Sequence, residues 1–236
     1  MQTMSSDDIM RDWYTHHMDL GFFNELMSFL NGCAEFFSTT SDATDSPDEK
    51  KQFREHAMDL RSTQSNLVSR ACRDDDYVIL TLSDDMQSAL FYTLVSMLSP
   101  EQGSEDPDLP EKAPLLPDAG GYSCYPLFKE QYAQVLHALQ NSVEELDAFL
   151  STIDPEESLG AAESWNAMEE RRQAASELAA SLEKQSYCFR DAETGRLSVA
   201  LMVKQYQVDD LFRALLVQTC LNYESIDYAS KLQPLG

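Results

Sequence analysis

Apolar residues recur at spacings of three and four along several long segments, a pattern typical of helices that bury one face. The longest series, in residues 127–151, consists of Tyr132, Leu136, Leu139, Val143, Leu146 and Leu150. After a short break it continues with Trp165, Met168, Ala175, Leu178 and Leu182. Because so short a connection forces antiparallel neighbours, the sequence predicts a helical hairpin over residues 127–186. Arg172 falls on its inner face, where it can pair with Glu144 or Glu145.

The N-terminal half shows the same helical spacing. The segments "DDIMRDWYTHHM" and "FFNELMSFLNGCAEFF" predict two helices that separate near Gly21, and residues 48–72 predict a third. Helix starts are indicated by "SPDE" at 46–49, "SPEQ" at 99–102 and "DPEE" at 154–157. Each of these places a capping side chain before Pro at the first helical position and an acid or amide at the third.

Strand character is confined to two places. The short β-branched run "YVILTL" predicts one strand near residues 77–82, after which Ser83 caps a helix. Near the C-terminus, "SYCFRDAETGRLSVALMV" predicts a β-hairpin that turns at "AETG", followed by a helix from Val208 to about Leu221. The predicted fold class is therefore mainly α with minor β: a multi-helix bundle with a long helical hairpin, one short strand and a C-terminal β-hairpin.

Proline divides the chain into regions. Five of the nine prolines fall within "PEQGSEDPDLPEKAPLLP", so residues 99–125 cannot form a long helix or a central strand. We predict a helical N-terminal region with one strand at 1–98, and a proline-rich acidic loop or linker at 99–125. Residues 126–236 are predicted to hold the helical hairpin, the β-hairpin and the C-terminal helix.

Two segments resemble each other. Residues 77–98 and 197–221 each run from a strand through a short acidic link into an apolar helix that contains Leu-Phe. The match is either a distant internal duplication or a chance result of apolar periodicity, and the low identity favours chance.

Charge limits the partners. The chain has 17 Lys plus Arg against 41 Asp plus Glu, a net charge of -24, whereas binders of nucleic acid or anionic membranes need the opposite balance. We therefore expect no direct nucleic-acid binding and no membrane association. The N-terminal residues do not resemble a signal peptide, and the five cysteines show no C-x-x-C spacing. These features predict a soluble cytoplasmic protein with reduced thiols; its oligomeric state stays open.

Aspartates flank the predicted strand on both sides. Asp74, Asp75 and Asp76 are consecutive, so their side chains point in different directions and do not converge on one ion. Asp84 and Asp85 follow the strand, as carboxylates of a magnesium or phosphoryl-transfer site would, but they also fit the first turn of a helix. Because no phosphate-binding or calcium loop accompanies them, we favour helix capping and predict no catalytic residues and no cofactor.

The histidines raise one metal hypothesis. Asp12, His16 and Asp19 share a face if this segment is helical, and they could then hold an ion with a further ligand. The same three residues fit a solvated helix face, which we favour, so we predict no metal site. His56 and His137 are interpreted as residues at the boundary of a buried face.

Acids are distributed unevenly. Residues 74–128 hold eleven acids and one base, Lys112, whereas residues 46–73 hold four acids and six bases. A negative surface attracts basic partners over long distances. The candidate partner-binding residues are Asp74, Asp75, Asp76, Glu105, Asp106, Asp108, Glu111 and Asp118, with Tyr122 and Tyr125 as apolar anchors.

Two function classes fit this composition. The first is a non-enzymatic acidic binding protein, an inhibitor, antagonist or immunity-type factor that engages a basic protein surface, with nucleic-acid mimicry as one form of this binding. The alternative is a chaperone or assembly subunit that holds a client in an apolar helical groove. Salt dependence separates them, because a complex made by an acidic face weakens with ionic strength.

Overall fold

The computed structural model describes residues 13–98, 109–112, 121–190 and 195–219. The strands are β1 (Trp13–Asp19), β2 (Ala71–Asp74), β3 (Tyr77–Ser83), β4 (Tyr122–Leu127), β5 (Tyr187–Arg190) and β6 (Leu197–Lys204). The helices are α1 (Leu20–Ala43), α2 (Pro47–Arg70), α3 (Asp84–Ser96), α4 (Lys129–Leu150), α5 (Leu159–Gln185) and α6, described over 208–219. The predicted fold class, mainly α with minor β, is confirmed.

The chain divides into two compact units between Thr93 and Leu94. In the first unit, α1 and α2 pack side by side, and β1, β3 and β2 form an antiparallel sheet with β3 in the centre. Ser46 caps α2 as predicted, since its Oγ accepts from the backbone N–H of Glu49. The core of this unit includes Leu26, Leu30 and Leu80, which are all fully buried.

In the second unit, α4 and α5 pack together, which confirms the predicted helical hairpin. The strands β4, β6 and β5 form a second antiparallel sheet with β6 in the centre. Arg172 does reach across the hairpin, but to Asp147 at 3.4 Å rather than to Glu144 or Glu145, and it also binds Glu169 on its own helix at 2.7 Å.

The two units repeat one architecture. Each runs through a strand, two long helices, two strands and a further helix, and in each sheet the third strand lies between the other two. Strand pairing defines equivalent positions. Val78 pairs with Met18 and Arg73 on either side, as Val199 pairs with Leu127 and Cys188.

The pairs of long helices in the two units also begin and end at equivalent positions relative to the strands. The residue after Met18 is Asp19, the N-cap of α1, and the residue after Leu127 is Phe128, the N-cap of α4. The C-caps of α2 and α5 are Ala71 and Ser186, which precede Arg73 and Cys188 by the same interval. Strand register and the outer helix limits are therefore matched at the base of each hairpin, although the helices have 24 and 24 residues in the first unit and 22 and 27 in the second.

The repeat extends to buried side chains. When the two copies are aligned without gaps from Val78 and Val199, four further positions hold identical buried residues. The pairs are Leu80 and Leu201, Leu90 and Leu211, Phe91 and Phe212, and Leu94 and Leu215. Apolar periodicity alone does not produce a common strand order, register and set of caps. The similarity of 77–98 to 197–221 thus marks an internal structural repeat, and its interpretation as chance was wrong.

Several local predictions were wrong. Residues 13–18 were assigned to a helix, but they belong to β1, which is held by pairing with β3. The predicted loop 99–125 overlaps β4, which begins at Tyr122, and the predicted single N-terminal strand is a three-stranded sheet. The "DPEE" segment forms a turn, and α5 begins instead after Ser158, whose Oγ accepts from the N–H of Ala161. The "SPEQ" segment lies outside the described residues.

Candidate partner-binding site

A tight turn between β2 and β3 carries three consecutive carboxylates, which we call the acidic turn: Asp74, Asp75 and Asp76. Asp75 has a positive φ of 50°, a conformation that aspartate adopts more readily than most residues. The carbonyl of Asp76 accepts from the N–H of Leu20 at 2.8 Å, which ties the turn to the start of α1. The backbone of the turn is thus fixed while all three side chains are exposed.

The charge of the acidic turn is not compensated by the rest of the described chain. Arg73, the nearest base in sequence, donates from Nε to the backbone carbonyl of Asp75 at 3.2 Å, not to a carboxylate. Arg70 lies over the Trp13 ring at 4.4 Å. Among residues 13–98, 109–112, 121–190 and 195–219, no base forms an ion pair with these three carboxylates. A local negative potential therefore faces the solvent.

The acidic turn lies beside an open strand edge. β2 pairs with β3 on one side, and no other strand of the described residues pairs with it on the other side. Cys72, Arg73 and Asp74 are all exposed, and Tyr77, at the other end of the turn, is 57% exposed. This corner offers carboxylates, one aromatic ring and unpaired backbone groups within a few residues of each other.

The acids of the proline-rich segment have a different setting. Glu111 forms an ion pair with Arg190, with 3.1 Å between Oε1 and Nε, and its backbone bridges to Cys188 in β5. Glu111, which the sequence grouped with the candidate partner-binding residues, thus has an ion-pair partner within the fold. Glu105, Asp106, Asp108 and Asp118 lie outside the described residues, and their role in binding stays a prediction.

The two predicted aromatic anchors occupy β4. Tyr122 is half-buried against a cluster that contains Tyr187 and Met202. Tyr125 is only 1% exposed, because its side chain points into the core of the second unit. Tyr125 therefore cannot serve as a contact residue for a partner in this fold. Alternation along a strand explains the difference, since Tyr122 and Tyr125 lie on opposite faces of the sheet.

The aspartate pair after β3 behaves as a helix start. Asp84 and Asp85 form the first turn of α3, and the Oγ of Ser83 accepts from the N–H of Met86 at 3.4 Å. Carboxylates in this place complement the positive end of the helix dipole. Asp85 also borders a cavity of about 130 Å³ between α2 and α3, which is smaller than a usual ligand site of about 300–1,000 Å³.

The residues of the histidine metal hypothesis do not lie on one helical face. His16 lies in β1 with 2% of its side chain exposed, and the Oδ1 of Asp19 accepts from the N–H of Phe22. On a strand, residues separated by three positions point to opposite faces, so these two do not share a face. Asp12 lies outside the described residues. Within the part of the chain that the structure describes, no three His, Cys, Asp or Glu residues are grouped as metal ligands.

One buried hydroxyl has an altered acidity. Burial raises the pKa of Tyr132 to about 12 from 10.0; the Ser186 hydroxyl partly offsets this, and the Glu183 carboxylate adds to it. Tyr132 is 1% exposed at the base of α4. With so high a pKa the group stays neutral at physiological pH, so it serves packing rather than proton transfer.

This pKa gives a prediction in alkaline solution. Between pH 10 and pH 12 an unfolded chain ionises Tyr132 while the folded chain keeps it protonated, so stability is lost as pH rises through this window. The contribution is about 2 to 3 kcal/mol. Tyr132→Phe should flatten the decline, measured as urea unfolding free energy against pH. Tyr77→Phe, which changes an exposed ring, should keep the wild-type slope, and an unchanged slope in Tyr132→Phe would refute the assignment.

The sequence indicates the carboxylates of the site but not the strand edge beside them. The edge depends on the order of strands in the sheet, and only the match between 77–98 and 197–221 hinted at it.

Among the described helices, none has the combination of length and apolar character needed to cross a membrane. Comparison with protein-family models, curated proteins and solved structures gives no match for this chain.

Proposed function

We propose that this protein is a non-enzymatic acidic binding protein, an inhibitor, antagonist or immunity-type factor that engages a basic surface on another protein in the cytoplasm. The observation that carries the proposal is the acidic turn, where Asp74, Asp75 and Asp76 are exposed on a fixed backbone without an ion-pair partner in the described chain. The thiol of Cys72 is reduced and exposed, which fits a reducing compartment.

The physical role of such a turn is steering. Carboxylates that make no internal ion pair contribute little to folding, but they raise the encounter rate with a positively charged partner. The net charge of -24 acts in the same direction over the whole surface. Fixing the turn through Leu20 lowers the entropy that the site would lose on binding.

The proposal is tested by neutralising the turn. The native partner is first captured at low salt, identified by mass spectrometry and purified. The triple variant Asp74→Asn, Asp75→Asn, Asp76→Asn should then slow association by about threefold to tenfold at low salt and flatten its dependence on ionic strength.

A matched control changes the same amount of charge elsewhere. Glu156, Glu157 and Glu163 are exposed acids near the tip of the α4–α5 hairpin, and their replacement by Gln should alter association much less. Equal slowing by both triple variants would mean that only net charge matters. An unchanged rate in the turn variant would remove the acidic turn from the interface.

Nucleic-acid mimicry is a special case of this proposal. If the acidic surface imitates phosphates, the partner's own DNA or RNA should compete with the protein for one surface, and the turn variant should compete less well. Binding of protein and nucleic acid to the partner at the same time would exclude mimicry while leaving the proposed function intact.

The chaperone alternative receives less support. It needs an apolar groove between helices, whereas the cavity between α2 and α3 is small and includes the polar residues Thr63, Asn66 and Asp85. A larger described cavity, of about 450 Å³, is lined by the charged residues Lys129, Glu130 and Arg196. An interaction that strengthens or stays constant as salt increases would favour this alternative over the acidic surface.

A further inference from the structure

The edge of β5 shows how one of the two sheets is extended. The backbone of Cys188 binds a short stretch of the same chain on the side away from β6. The Cys188 N–H donates to the carbonyl of Pro110 at 2.9 Å, and the Cys188 carbonyl accepts from the backbone N–H of Lys112 at 2.8 Å. Glu111, between these two, forms a parallel bridge with Cys188. Residues 109–112 thus lie along the outer edge of β5 and are joined to it by one parallel bridge.

Side chains fix the charge and register of this added segment. Glu111 pairs with Arg190 at the end of β5, and the Lys112 ammonium lies 5.4 Å from the centre of the Tyr187 ring. The edge of the second sheet therefore holds this segment by backbone hydrogen bonds, with one exposed ion pair of complementary charge next to the strand.

The equivalent edge in the first unit is β2. Arg73 occupies the place of Cys188, because each pairs with the matching valine of the central strand, Val78 or Val199. In an antiparallel ladder alternate residues direct both backbone groups away from their partner, so the N–H and carbonyl of Arg73 point to the open side of β2. No other strand of the described residues pairs with that side.

The charged residue that follows β2 has the opposite sign to the one at the end of β5. Two residues after Cys188 lies Arg190, at the end of β5, and two residues after Arg73 lies Asp75, in the turn that follows β2. The flanking Asp74 and Asp76 are exposed acids as well. An edge that binds an acidic segment through Arg190 in one copy is thus matched by an edge that suits a basic segment in the other.

We propose that the open edge of β2 binds an extended basic peptide segment of a partner protein, in parallel orientation, as β5 binds residues 109–112. The segment continues the sheet β1-β3-β2 by one strand through the backbone of Arg73, and a Lys or Arg side chain lies against Asp75. This inference rests on the proposed function, because it names the form of the basic partner.

The test uses a synthetic hexapeptide of alternating lysine and valine, titrated into the full-length protein at low salt. Arg73→Pro removes the outward N–H but no hydrogen bond to β3, and it should weaken binding at least tenfold. Arg73→Ala keeps the N–H and should bind as tightly as the wild type or more tightly. Circular dichroism of both variants establishes that the fold is retained.

A second measurement does not depend on the folding of a variant. The same hexapeptide with every peptide nitrogen methylated keeps its charge but has no backbone N–H to donate to β2, so it should bind the wild-type protein at least tenfold more weakly. Hydrogen exchange should show that the unmodified peptide slows exchange of the Arg73 amide in the wild type.

The outcomes separate the two proposals. Salt-dependent binding of both peptides with equal affinity would overturn strand addition and leave the acidic binding function standing. No binding of either peptide, together with an unchanged rate in the acidic-turn variant, would count against both. A dimer that Arg73→Pro dissociates in the absence of peptide would show that the edge is occupied by a second copy, and would overturn the peptide proposal.

Discussion

Leu139→Asp should lower the free energy of unfolding by about 4 kcal/mol or more, because it places an unpaired carboxylate in an apolar interior. Leu139 is fully buried on the inner face of α4. The carboxylate either stays charged without a counter-ion or takes up a proton at a cost in free energy, and in both cases the leucine contacts are lost. Urea unfolding monitored by circular dichroism measures the change.

The neighbouring position supplies the control. Gln140 is exposed on the outer face of the same helix, so Gln140→Asp should change the free energy of unfolding by less than about 0.5 kcal/mol. Similar losses for Leu139→Asp and Gln140→Asp would mean that the inner face of the hairpin has been assigned incorrectly.

The internal repeat leads to a second large effect. Phe91→Ala and Phe212→Ala should each cost about 3–5 kcal/mol, since both rings are fully buried and neither site can refill the lost volume easily. Because the two phenylalanines occupy equivalent positions, the same truncation should be severe in both copies. Thermal and urea unfolding of the single variants test this.

Tyr206→Ala is the matched aromatic truncation. Its ring is 74% exposed, so its removal should cost about 1 kcal/mol or less. If one of the buried phenylalanines proved as tolerant as Tyr206, the two copies would not share a core position there, and the equivalence drawn from strand register would fail.

Helices were predictable because their determinants are local. The spacing of Tyr132, Leu139 and Leu150 identified α4, and the Ser46-Pro47 pair located the start of α2 within one residue. The β-branched run at Tyr77–Ser83 likewise specified β3 without reference to the rest of the chain.

β1 and β4 could not be predicted in this way, because distant pairing stabilises them. In β1 the buried positions include His16, a polar residue, while Trp13 is on the opposite face, so the apolar alternation is blurred. In β4 the buried positions include Ser123, and Pro126 suggests a loop. Each becomes a strand through the central strand of its sheet, far away in sequence.

The candidate site was predictable only in part. The sequence identified Asp74, Asp75 and Asp76 as an exposed acidic cluster. Their position in a turn next to an edge strand follows only from the order of strands in the sheet. Glu111 was grouped with them by charge alone, whereas the fold gives it Arg190 as a partner. Composition gives the number of charges, whereas tertiary structure shows which of them have an ion-pair partner.

The segment 109–112 along β5 has a consequence for the number of molecules that can join. Two equivalent open edges on one chain would make it bivalent towards extended segments, and bivalent units can link into open-ended polymers. By covering the edge of β5 at Cys188 with its own residues, the chain leaves β2 as the open member of this equivalent pair among the described residues. With one member of the pair covered, strand addition at these two edges is limited to one segment per chain, so chains do not link into fibres through them.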